Sequence, residues 1–230
     1  MSQAGEAISR TWDTLLAGLE GRERQRGGEV LRRLSENLTR LTWRLDECKV
    51  VGAALPIAPD PSYSGPPLTE LQLRFVDKVE AFHQHVYATL AVLALALNHR
   101  KEPRAKQPYP IGSISKFLDA LKERDFRYKD RLLDQVTVLE KSADFRSKYV
   151  DHPEQHQLHD WMTMVYLGNY RVIYFIKRDD TVVYRPGSSD PDSPDFRPPL
   201  GGVEEFYVSP DLDRTYDAVQ RVIMGALRLK

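Results

Sequence analysis

Apolar residues recur at threes and fours through the first two thirds of the chain, the spacing that lines one face of an α-helix. Ile8, Trp12, Leu15 and Leu19 place a first helix over about Glu6 to Glu20, with Gly21 as its stop. Leu31, Leu34, Leu38, Leu41 and Leu45 place a second over about Glu29 to Val51. Pro56, Pro59, Pro61, Pro66 and Pro67 then predict a stiff surface loop. Thr69 to Asn98 reads as one helix, roughly 45 Å long at 1.5 Å per residue. Its first half is amphipathic and its second half is apolar nearly all round, which suits the centre of a bundle. Pro103, Pro108 and Pro110 end it. A short helix is expected over Ser113 to Leu121. A longer one is expected from Phe126 to about Val150, with Leu132, Val136, Leu139, Ala143 and Val150 inward.

After Leu158 the period changes. Trp161 to Leu167, Tyr170 to Lys177 and Thr181 to Tyr184 are rich in aromatic and β-branched residues, and Gly168-Asn169 is a hairpin dipeptide. They predict a three-stranded meander, with Glu205 to Val208 as a further candidate strand. Pro186 to Pro199 is a loop of proline, serine and aspartate. Ser209 is the expected N-cap of the last helix, with Pro210 at its first position and Asp211 and Asp213 in its first turn. Tyr216, Val219, Ile223 and Leu227 are its expected buried face. The expected fold class is therefore α+β, predominantly helical: an antiparallel helical bundle with a small antiparallel β meander before the last helix. One domain spans 1–230, with the bundle in 6–150 and 209–230 and the insert at about 159–208.

Composition narrows the function classes. Lys plus Arg equals Asp plus Glu, 33 each, so a strongly basic nucleic-acid coat is excluded while a local basic cleft is not. A single cysteine, Cys48, rules out an intrachain disulfide and points to a reducing, cytoplasmic setting. Met1 to Arg10 contain no apolar run, so no secretory signal is expected. Ala88 to Leu97 is about half the length of a membrane span, so no membrane partner is expected.

The segment that can carry chemistry reads F-R-S-K-Y-V-D-H-P, from Phe145 to Pro153. On a helical wheel Arg146 lies about 50° from the centre of its helix's apolar stripe, at 100° per residue. An arginine bordering a core face calls for a carboxylate or phosphate partner. Pro153 disfavours helical geometry at His152, so the helix is expected to stop near Val150. Unbroken helix would hold Arg146 and His152 about 120° apart; a break lets the imidazole fold back toward the guanidinium. The plainer reading pairs Arg146 with Asp144, Asp151 or Glu80 and leaves His152 as a turn residue.

Arginine, five intervening residues and histidine near a helix end in a helical bundle resemble the motif of the HEPN superfamily (helical nucleotide-binding domains). The resemblance covers about residues 68–160 and 209–230. It implies a homodimer in which two motifs share one cleft, RNA as the partner, and metal-independent endoribonuclease activity in active members, with no cofactor. Arg146 would hold the scissile phosphate and His152 would move protons at the 2′-hydroxyl. Histidine suits proton transfer near neutral pH, and arginine suits the charge that develops on phosphorus oxygens. A toxin, defence or stress system, with an antitoxin or defence partner, is the implied setting. The chain departs from the pattern at Ser147, where Asn, Asp or His is common, and at Glu154, where antitoxin-paired members carry tyrosine.

Two further readings stay open. His152, His156 and His159, flanked by Asp151 and Asp160, have a spacing that can hold zinc, which would make the protein a metal-dependent hydrolase. The same residues read more readily as an exposed polar turn, so no metal site is assigned to them. His83 and His85, two apart on a helix, diverge, so one of them faces the bundle. The other reading is a non-enzymatic scaffold or partner-binding module. Glycine-rich phosphate loops and Ser-His triads are absent from the sequence.

Overall fold

The computed structural model describes residues 2–55, 70–99, 108–123, 129–147, 161–166, 171–177 and 203–228. The long apolar stripes become the two longest helices, α3 (Gly21–Ala53) and α4 (Glu70–His99). Leu34, Leu38 and Leu41 of α3 are fully buried, as are Phe75, Val79, Phe82 and Leu93 of α4. The helices run antiparallel: the Asn37 side-chain amide donates to the Ala88 carbonyl at 3.4 Å, and Lys78 pairs with Glu47 at 3.1 Å. Four shorter helices complete the bundle: α1 (Gln3–Arg10), α5 (Ile114–Glu123), α6 (Lys129–Phe145) and α7 (Leu212–Leu227). A single turn, α2 (Trp12–Leu15), lies between α1 and α3.

Three helix boundaries differ from expectation, each for a local reason. The expected helix from Glu6 to Glu20 breaks at Thr11, whose hydroxyl donates to the Ala7 carbonyl at 2.7 Å. Gly21 starts α3 instead of stopping a helix; its φ of +48° supplies the left-handed turn that aims the chain into it. The segment from Gly21 then folds back over Leu16 and Leu19. A Cβ on Gly27 would stand 3.0–3.1 Å from those two side chains, so a small residue is needed there. At the far end, α7 is capped by Asp211, which accepts the Arg214 amide at 2.7 Å, while Ser209 is fully buried. A carboxylate both caps and meets the positive end of the helix dipole.

The expected α+β class is corrected to a predominantly helical fold. Among the described residues seven helices make the body, and every described core side chain lies on a helix or a turn beside one. The extended pieces among the described residues are three short strands: β1 (Trp161–Tyr166), β2 (Arg171–Lys177) and β3 (Val203–Val208). They pair antiparallel in the order β1-β2-β3, with Thr163 opposite Tyr174 and Phe175 opposite Phe206. The expected strand at 181–184 and the Gly168-Asn169 turn lie outside the described residues. A layer must bury a face against the core to define a fold class. Among the described side chains α7 does so, with Ala218, Val219, Val222 and Ile223 fully buried. Among the described residues no helix is long and apolar enough to cross a membrane.

Candidate functional site

Two helices bring the site together. Helix α4 carries His83 and, one turn on, Tyr87. Helix α6 carries Ser142, Phe145 and, just past its end, Arg146. His83 Nδ1 and the Ser142 hydroxyl are 2.7 Å apart, and both residues are 1% exposed. The His83 ring meets Phe82 and Phe145 edge-on, with centroids 5.2 Å and 4.9 Å away. Its Nε2 is buried with no hydrogen-bond partner among the described residues. Burial without a counter-charge pushes the His83 pKa down to about 3, so the ring is neutral.

One turn further, the Arg146 guanidinium carbon lies 3.6 Å from the centre of the Tyr87 ring. The two contacts rise together, 83 with 142 and 87 with 146. Helices α4 and α6 therefore run in the same sense here, and the bundle is not antiparallel throughout. At Arg146 and Ser147 the backbone passes from α-helical to a wider π-type turn, a distortion often found beside functional sites.

Arg146 and Tyr87 line a cleft of about 570 Å³. The start of α5, Gly112 to Ser115, also lines it. Ser113 caps that helix, accepting the Lys116 amide at 3.4 Å, while its carbonyl accepts the Phe117 amide. The first amides of a helix have no acceptor within the helix, so this wall is electropositive. Glu140, Ala143, Asp144 and Ser147 of the α6 segment complete the lining. The Glu140 carboxylate is bound to Lys122 of α5, which offsets its charge. A guanidinium stacked on a ring directs its N–H donors outward in its own plane, the geometry that suits carboxylate or phosphate oxygens.

Of the residues singled out from sequence, Arg146 is in this cleft. His152, His156 and His159 lie outside the described residues, as do Asp151 and Asp160. Among the described residues no group of three or more His, Cys, Asp or Glu is placed to hold a metal ion. His83 and His85 diverge as their spacing requires. His85 is half-buried, and its pKa is lowered by burial and then by Arg44 and Arg40. Sequence reasoning missed Tyr87 as the partner of Arg146. The available signal was an aromatic one turn after His83 on the helix marked as central. Comparison with family models, curated proteins and solved structures finds no match to this chain.

Proposed function

We propose that the cleft binds the phosphate backbone of RNA, and that the protein is an RNA-binding or RNA-cleaving protein of HEPN type. The observation that carries this reading is Arg146 stacked on Tyr87 at the wall of a cleft that the start of α5 also lines. Both features favour an anion, and neither needs a metal. The sequence motif adds His152 as the proton-transfer group. In this reading Arg146 is held against a phosphate and neutralises charge on its oxygens, while His152 takes the proton from the 2′-hydroxyl or delivers one to the leaving oxygen. Two copies would bring two motifs to one cleft.

The experiment measures binding and cleavage of a fluorescent single-stranded RNA by the parent protein and by Arg146→Ala, Tyr87→Leu and His152→Ala. Arg146→Ala is expected to weaken binding by about tenfold or more, the cost of one charge-assisted hydrogen bond, and to reduce the salt slope by about one. His152→Ala is expected to keep binding and lose cleavage. RNA affinity unchanged in Arg146→Ala at low salt would overturn the reading.

A further inference from the structure

We infer that the buried His83–Ser142 hydrogen bond sets the register that carries Arg146 over Tyr87, so that His83 and Ser142 are positioning residues for the cleft. Both partners are 1% exposed and their polar atoms are 2.7 Å apart. The pair is an expensive way to fill space. Among the described residues Nε2 is buried without a partner, and such an orphan carries a desolvation cost that an apolar pair of the same shape would not. What the hydrogen bond adds is direction. Of the apolar side chains of α6 that pack inward, Val136, Val138 and Leu139 are aliphatic, and aliphatic contacts carry no direction. A slip of one residue moves a helix by about 1.5 Å and turns it by about 100°, enough to take Arg146 off the Tyr87 ring. A bond between Nδ1 and a short serine side chain permits neither.

Spacing makes the coupling direct. Tyr87 follows His83 by four residues, and Arg146 follows Ser142 by four, so the two contacts are successive rungs between α4 and α6. Phe145 locks the lower rung from the side, its ring 4.9 Å from that of His83. Arg146 is the next residue, in the widened turn where the regular helix has ended. Its placement therefore depends on the anchor just before it. The functional weight of this coupling rests on the phosphate-binding reading of the cleft; the coupling itself does not.

The test reads the Arg146 side chain without any ligand. In the nuclear magnetic resonance spectrum of the full chain, the Arg146 Nε–H signal is shifted by the Tyr87 ring current. It is assigned by its disappearance in Arg146→Lys, and its unstacked position is taken from Tyr87→Leu. Ser142→Ala is expected to move the signal most of the way to that position, and Ser142→Thr, which keeps the hydroxyl, to restore it. Leu139→Ala, a buried deletion one turn earlier on α6, is expected to lower stability and leave the signal in place. If Ser142→Ala does not fold, His83→Phe removes the hydrogen bond from the other side and is read the same way. A signal unmoved in the variant that folds overturns the inference, and so does an equal displacement in Leu139→Ala. Displacement in Ser142→Ala with RNA affinity indifferent to Arg146 would leave the coupling standing and remove the RNA reading alone.

Discussion

Helix α4 meets α3 and α6 on different terms. Its seam with α3 is long and apolar, built from fully buried leucines such as Leu34, Leu38 and Leu41. Its contact with α6 is shorter and turns on two polar rungs, His83 with Ser142 and Tyr87 with Arg146. The first contact supplies stability in proportion to the area it hides from water. The second hides an imidazole that has lost hydration and gained one hydrogen bond, yet it sets where a single arginine stands. Strength and placement are separate tasks, and one helix performs them on two of its faces.

The sharpest way to break the comparison is to remove a leucine from the apolar seam. Leu38→Ala should cost about 2–5 kcal/mol in urea unfolding, the range for a fully buried leucine that leaves a cavity. RNA affinity at saturating folded protein should be unchanged. A loss below about 1 kcal/mol would deny the seam its role.

Acid acts on the other face. His83 has a folded pKa of about 3 against an ordinary 6.5. Between those values the unfolded chain takes up a proton that the folded chain refuses, so stability falls as pH drops below about 6.5. The slope approaches about 1.4 kcal/mol per pH unit and flattens below pH 3. His85, also lowered, acts in the same direction. Urea unfolding across this range should show a shallower slope in His83→Phe than in the parent; equal slopes would mean that His83 is not the buried base.

At the rim of the cleft, the Lys122–Glu140 pair is about one-third exposed on each side. Lys122→Met should change stability by less than about 1 kcal/mol, as partly exposed ion pairs do. It leaves the Glu140 carboxylate uncompensated in the cleft, so RNA binding should weaken although Lys122 itself does not line it. Tighter binding would reverse the assigned polarity.

The smallest effect belongs to the apolar seam again. Cys48 of α3 is fully buried, and burial, with a smaller push from Glu47, raises its thiol pKa to about 12. Thiol reagents at pH 8 should leave the native protein unmodified, with labelling that appears only as denaturant opens the seam. Rapid labelling in buffer would show that the seam opens locally.

These differences in chemistry also decide what could be read from the sequence. The stripe Leu31, Leu34, Leu38, Leu41 and Leu45 marks its face without ambiguity, because burial of apolar area leaves a period. The all-round apolar second half of α4 likewise announces a central helix. Helix ends are less legible: Thr11, Gly21 and Asp211 act through single hydrogen bonds or one backbone angle, which leave no period. The fold class is misread from sequence because aromatic and β-branched composition marks strand propensity, while class depends on which element covers the core, and α7 does that. Arg146 is legible as an arginine too close to an apolar stripe. Tyr87 is not, since the contact spans two helices whose relative register rests on a histidine and a serine.

The first helix is stitched to the last. The Ala4 amide donates to the side-chain oxygen of Gln220 at 2.8 Å, across 216 positions of the chain, and Ala4, Ala7 and Ile8 are fully buried. On the ribosome, α1 is made well before its docking surface on α7. Its contact with α3 can form early, but the Ala4–Gln220 hydrogen bond must wait until the 216 positions between the two residues have been made. At about 5–20 residues per second that wait is on the order of tens of seconds. Shielding of the α7-facing side of α1 is needed most during this interval, and a change that slows translation between α1 and α7 would lengthen it without altering the folded structure.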